Sequence, residues 1–256
     1  MVRSQRAIAE WRTWVSHMGE CYFTAELFSF LKQLKRHNKR EWFQANKPRY
    51  EEAVRNPCLR FIAELVEPLH EISPWLVADP HPTRGSLFRI YRDTRFSADK
   101  RPYKTHVGMS FPHRGTKQKV HLPGFYLHLE PASCFAAAGC WHPDNPTLIR
   151  IRGAIVARPE AWKKAVRGLE LEGDALKRPP RGYPCDHPLV EDLKRKDFLA
   201  SVELTDAQVC GPRFMTDLIT ACRKLSPLVG FLSQALGLPY EAAEPRGAAM
   251  AFRLRA

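Results

Sequence analysis

Three residues, Pro131-Ala132-Ser133, separate two runs of alternating side chains, Phe125 to Glu130 and Cys134 to Cys140. So short a connection joins antiparallel strands, because parallel neighbours need a crossover of a dozen residues or more. Strands are also expected at Leu87 to Tyr91, Thr105 to Phe111 and Phe198 to Leu204. The middle of the chain therefore reads as a mainly antiparallel sheet.

On either side the period lengthens. Thr24 is placed to cap a helix in which Leu27, Phe30, Leu31 and Leu34 share a face, and Asn38 to stop it. Arg40-Glu41-Trp42-Phe43 starts another, with Trp42 and Phe43 turned inward, and Tyr50 to Val54 continues helically past Pro48. Asn56-Pro57 reads as a cap with proline in the first turn, opening a helix to about Leu69. Asn145-Pro146 repeats that signal before Leu148, Ile151, Ile155 and Val156. Arg158-Pro159 interrupts, and Ala161 to Val166 resumes. Pro188 to Lys196 reads as a short helix, and Phe214 to Leu225 and Pro227 to Leu236 as two more. The expected class is α+β: the sheet packed with N-terminal and C-terminal helices. One domain is expected over 23–238. An N-terminal extension occupies 1–22, with Ile8, Trp11, Trp14, Val15 and Met18 at helical spacing, and a flexible basic tail occupies 239–256.

Composition excludes some classes. Hydrophobic residues make up 44% and charged ones 26% of 256, enough to bury a core without staples. No run of about 18 apolar residues suggests a membrane span, and no signal peptide is evident. The seven cysteines are scattered without a C-x-x-C pair, which fits buried thiols in a reducing, cytoplasmic setting. Phosphate-loop, dinucleotide-fold and nucleophile-elbow motifs are all missing. Five of the ten histidines fall between His106 and His142, but none has a metal-ligand spacing, so no metal site is expected.

The charge is concentrated. Of a formal net charge of +13, the 36 residues from Arg84 to Lys119 carry +8. Within them, Arg89, Arg92, Arg95, Lys100, Arg101 and Lys104 crowd together with only Asp93 and Asp99 as acids. Like charges 7 Å apart repel by roughly 0.6 kcal/mol in water and about 2 kcal/mol at an effective dielectric near 20. Such cations splay into solvent, pair internally or share an anion. The sequence favours a shared anion: a phosphate- or carboxylate-bearing small molecule held by Arg89, Arg92, Arg95, Lys100 and Lys104. Asp93 and Asp99 would position those cations, and Tyr91 and Tyr103 would line the site. Tyr126, His128 and Glu130 share one face of a strand, so His128 and Glu130 are the candidates for proton transfer, with His106 nearby to orient a ligand. Two alternatives stand beside this. One is a nucleic-acid binder using the strip 84–119, including Arg114, Lys117 and Lys119. The other is a purely structural Arg/Asp network.

The run from Arg89 to Lys104 resembles the signature of a widespread bacterial family, domain of unknown function 2461. The resemblance extends to Phe23, Phe30-Leu31, Glu41-Trp42-Phe43, Gly124 to Pro131, Gly139-Cys140-Trp141-His142-Pro143, Ile149-Arg150 and Arg181-Gly182-Tyr183. It spans about residues 23–236. It implies an α+β domain and brings with it neither an activity nor a cofactor.

Overall fold

A computed structural model of the chain describes residues 21–95, 97–115 and 122–240. The expected helix within 1–20, the tail from 241, Phe96, Lys117, Lys119 and His121 lie outside the described residues. The class is α+β. Strands β1 (Val107–Pro112), β2 (Gly124–Leu129), β3 (Cys134–Cys140), β4 (Leu171–Glu172) and β5 (Phe198–Leu204) form one antiparallel sheet in the order β1-β2-β3-β5-β4. Strand β4 escaped the sequence reading because two residues carry no period.

Before the sheet come α1 (Ala25–Arg36), α2 (Arg40–Ala45), α3 (Lys47–Tyr50) and α4 (Asn56–His70). The Thr24 side chain accepts from Glu26 N–H and caps α1 as expected. Asn56 is no cap: its own backbone is helical, and the chain reaches α4 through a π-helical turn, Glu51–Arg55. The Asn56 N–H donates five residues back, to the Glu51 carbonyl. That wider turn directly precedes Pro57, which has no N–H to continue an ordinary turn. After the hairpin come α5 (Asn145–Ala157), α6 (Pro159–Ala165), α7 (Val190–Lys194), α8 (Asp206–Val209) and α9 (Phe214–Ala235). The cap of α5 is Asp144, one residue earlier than expected, accepting from Thr147 N–H. The two expected final helices are one, running through Pro227. Leu218, Cys222, Leu225, Val229 and Leu232 are all buried along it, so packing on both sides of the proline outweighs the lost hydrogen bond.

The register sorts the sheet faces. Val107, Met109, Phe111, Phe125, Leu127, Leu129, Ala136, Ala138 and Phe198 are buried. The small side chains of β3 let α9 lie against this face. Phe23, Phe61 and Phe214 meet edge-on or tilted at 5.2–5.6 Å, joining the N-terminal helices to α9. The other face carries Gly108, Ser110, Tyr126, His128, Phe135, Ala137, Ser201 and Glu203 and is only partly covered.

The sheet also needs Gly139. Its φ is +130°, and a Cβ there would sit 1.8 Å from the Phe198 carbonyl oxygen. His113, just past β1, is buried against Trp75. Its Nδ1 accepts from Gly115 N–H, and its Nε2 lies 2.6 Å from the Pro239 carbonyl, so the neutral ring donates there. Burial, only partly opposed by that bond, lowers its pKa.

Gly139→Ala should cost about 3 kcal/mol or more, whereas Gly153→Ala, in an exposed turn of α5 with open space around its Cβ position, should gain roughly 0.5–1 kcal/mol. Thermal melts of the two variants check the opposite signs. A histidine with a lowered folded pKa contributes stability that is complete above its unfolded value near 6.5 and is lost as pH falls through the folded value. Chemical denaturation at pH 7.5 and pH 5 should therefore show lower stability at pH 5, with a smaller difference in His113→Gln.

Candidate functional site

The expected strand at Leu87–Tyr91 is instead an irregular ribbon along the free edge of β1. Phe88 N–H donates to the Gly108 carbonyl and Ser110 N–H to the Ser86 carbonyl, both at 2.9 Å. The chain then folds back on itself: Arg92 N–H reaches the Pro102 carbonyl at 2.9 Å and Lys104 N–H the Ile90 carbonyl at 2.7 Å. Asn38 holds this ribbon from the end of α1. Its side chain donates to the Tyr103 carbonyl and accepts from Tyr103 N–H, each at 3.0 Å, so one amide replaces a strand rung. Tyr103 is 2% exposed and stacks on Phe43 at 4.2 Å. It belongs to the core, so only its edge could reach a ligand on the surface. Tyr91, its bridge partner, packs against the same rings, 5.4 Å from Tyr103 and 6.1 Å from Phe43, but is 48% exposed.

The segment neutralises much of its own charge. Arg95 donates to both Asp93 oxygens, at 3.0 and 2.7 Å. Asp99 accepts from both Arg92 and Arg101. Lys100 donates to the Thr94 carbonyl at 3.0 Å. The Arg95 hydrogen bonds hold the Asp93 carboxyl down to about 2, and the bonds from Arg101 and then Arg92 hold that of Asp99 lower still. Of the cations expected to converge on a ligand, Arg92, Arg95 and Lys100 are thus occupied within the loop. Arg89 and Lys104 have no carboxylate partner within 4 Å among the described residues. Arg89 is exposed. Lys104 is half-buried, with Nζ 5.2 Å from the Phe88 ring centroid; burial and then the Arg89 charge lower its pKa.

Beside Lys104 the partly covered sheet face presents a polar group. His106, His128 and Glu130 each offer a ligand atom, and those atoms lie within 4.8 Å of one another. His128 is stacked between His106 at 4.4 Å and Phe135 at 4.7 Å. Its Nδ1 is 3.1 Å from the Tyr126 hydroxyl and its Nε2 3.5 Å from Glu130 Oε2. Glu130 Oε1 accepts from Lys35 at 3.3 Å and Thr105 at 3.4 Å. Burial, then the charges of His128 and Lys104, push His106 down to about 4. Burial also lowers His128, against the pull of Glu130. Burial opposes ionisation of Glu130, but Lys35 and His128 outweigh it and lower its pKa. Both rings are therefore neutral at pH 7 beside an ionised carboxylate, an arrangement able to accept a proton or to ligate.

The antiparallel register brings His106 to this place. The last rung pairs Val107 with Leu129; His106 and Glu130 each lie one residue beyond it, and their ligand atoms are within 4.8 Å of each other. Lys35 and Asn38 carry no sequence signal for their roles, since each is reached only by folding α1 against the ribbon. Two cavities, of about 510 and 220 Å3, lie elsewhere, and no residue of 89–104 lines either. Cys140 is buried, and burial pushes its thiol up to about 12, which keeps it from acting as a nucleophile.

Asn38→Ala strands both backbone groups of Tyr103 and should cost about 1–3 kcal/mol, with faster amide hydrogen exchange at Tyr103 and Lys104. Neither the curated proteins nor the solved structures include a match to the chain. Residues 26–231 match a family described as conserved hypothetical protein (DUF2461). That match takes in the sheet, the ribbon and all but the last turn of α9, and the chain belongs to this family.

Proposed function

We propose that this protein binds a phosphate- or carboxylate-bearing small molecule on the face formed by Arg89, Lys104 and the neighbouring imidazoles. One observation carries the reading: Arg89 and Lys104 lie close enough to perturb each other, and neither has a carboxylate within 4 Å among the described residues, although Asp93 feels the Arg89 charge from farther off. The acids of the segment are committed to Arg92, Arg95 and Arg101. Those pairs brace the loop rather than meet the ligand. An anion between Arg89 and Lys104 would replace repulsion by two charge-assisted contacts. Phe88 and Tyr126, 6.0 Å apart, supply an apolar flank to the same face. Should the ligand react, His128 is the group placed to take a proton, with Glu130 beside it and His106 stacked on it.

Calorimetric titration with inorganic phosphate and with citrate tests this reading. Saturable binding is expected, weakened about 10-fold or more by Arg89→Ala and by Lys104→Ala, the loss typical of a hydrogen bond to a charged group. Arg95→Ala should change it far less, because Asp93 occupies that guanidinium. No binding of either anion at low salt overturns the proposal. Tight binding of oligonucleotides with a steep salt dependence would assign the basic strip to nucleic acid instead.

A further inference from the structure

We infer that His106, His128 and Glu130 form a site for one divalent transition-metal ion. The inference goes beyond the anion reading and does not depend on it. Two imidazoles and a carboxylate are the donor set that suits zinc, iron or manganese and leaves coordination positions open. Two nitrogen donors argue against calcium and magnesium, which take oxygen ligands.

The geometry supports this in three ways. Metal–ligand bonds of about 2.0–2.2 Å place neighbouring donors roughly 3–3.5 Å apart. His128 Nε2 and Glu130 Oε2 are already at 3.5 Å. All three donors lie within 4.8 Å of one another, so the His106 ring needs only to swing out of its 4.4 Å stack to aim its lone pair at the same point. The site sits on the partly covered face, where His106, His128 and Glu130 are each half-buried and reachable.

The second feature is the support behind each ligand. With Nε2 facing the metal, His128 would donate Nδ1–H to the Tyr126 hydroxyl, 3.1 Å away. That fixes the tautomer, as outer partners of metal-bound histidines do. Glu130 has a division of labour: Lys35 and Thr105 hold Oε1, which leaves Oε2 for the ion. The third feature is strand placement. His128 lies within β2, Glu130 directly follows β2 and His106 directly precedes β1, so the paired strands bring the three donors together at one end of the hairpin.

The test uses the full chain in a buffer without phosphate or carboxylates. Metal-free protein is titrated with Zn2+ and, separately, with Co2+, whose visible spectrum reports nitrogen and oxygen ligation. One equivalent of each ion should bind, and Zn2+ should raise the melting temperature. His128→Ala, His106→Ala and Glu130→Gln should each abolish the Co2+ spectrum and the thermal shift. Tyr126→Phe should fold normally and weaken Zn2+ binding about 10-fold, the loss expected of an outer partner. His142→Asn, which changes an exposed histidine paired with Asp197, should bind as the parent does. The inference is overturned if the parent binds no stoichiometric metal, or if the three ligand variants bind with undiminished affinity. Unfolding of a ligand variant leaves Tyr126→Phe as the deciding measurement, and unchanged affinity there also overturns it.

Discussion

The rungs between β1 and β2 decide which chemistry this protein exposes. With Met109 opposite Leu127 and Val107 opposite Leu129, one face is uniformly apolar and accepts α9 through β3. The same rungs put Tyr126, His128 and Glu130 on the opposite face, with His106 beside them. A slip of one residue would turn Leu127 and Leu129 outward and drive a carboxylate and an imidazole against the helix. Burying such groups without partners costs several kcal/mol, so the hydrophobic core and the polar face fix each other. The polar group is a consequence of the register that the core demands.

The cationic ribbon depends on that edge. Its backbone is tied to β1 through Phe88 and Ser86, and to α1 through Asn38. Ile90 and Tyr103 anchor it in the core, with Tyr91 packed against Tyr103, and Arg89 is left exposed. Asp99 joins Arg92 and Arg101, and Asp93 joins Arg95, so each acid lies within a few residues of its partners. Arg95–Asp93 is exposed and Arg92–Asp99 partly so, and such pairs add little to global stability. Their effect is conformational: they set the path of the loop between the two arms of the ribbon. Arg89 and Lys104 are left without a carboxylate within 4 Å among the described residues, and Lys104 stands beside His106.

Much of this fold is written locally. The hairpin at Pro131-Ala132-Ser133 forces antiparallel pairing, and the limits of β3 and β5 follow from alternation alone. Thr24 signals its cap because side-chain acceptor and backbone donor are neighbours. The misread places are those where a distant contact overrides a local preference. Pro227 stays inside α9 because buried residues on both sides hold the helix to the sheet. Asn56-Pro57 looks like a start, yet the π-helical turn before it continues the chain. Leu87–Tyr91 alternates like a strand, but its pairing is divided between β1 and its own return arm. The cluster of cations was legible by inspection. Which of them are occupied was not, since Asp93 and Asp99 could have reached several. Tyr103 is the plainest case: its place among cations suggested a ligand contact, and Phe43, 60 residues earlier, claims its ring.

The two proposals on this face are linked by electrostatics. A dication held by two neutral imidazoles and one carboxylate carries a net charge near +1. Lys35 lies 3.3 Å from the same carboxylate, and Lys104 stands close enough to His106 to lower its pKa. At about 7 Å each such cation opposes a bound metal by roughly 0.6–2 kcal/mol, depending on screening. The site therefore holds a metal most tightly when an anion fills an open coordination position and meets Arg89 or Lys104 with its other oxygens. By linkage, the metal must then strengthen anion binding by the same factor. A face with only the cations would bind anions by charge alone; a face with the ion in place would also orient them at an open coordination position, which is what metal-assisted chemistry on the anion would require.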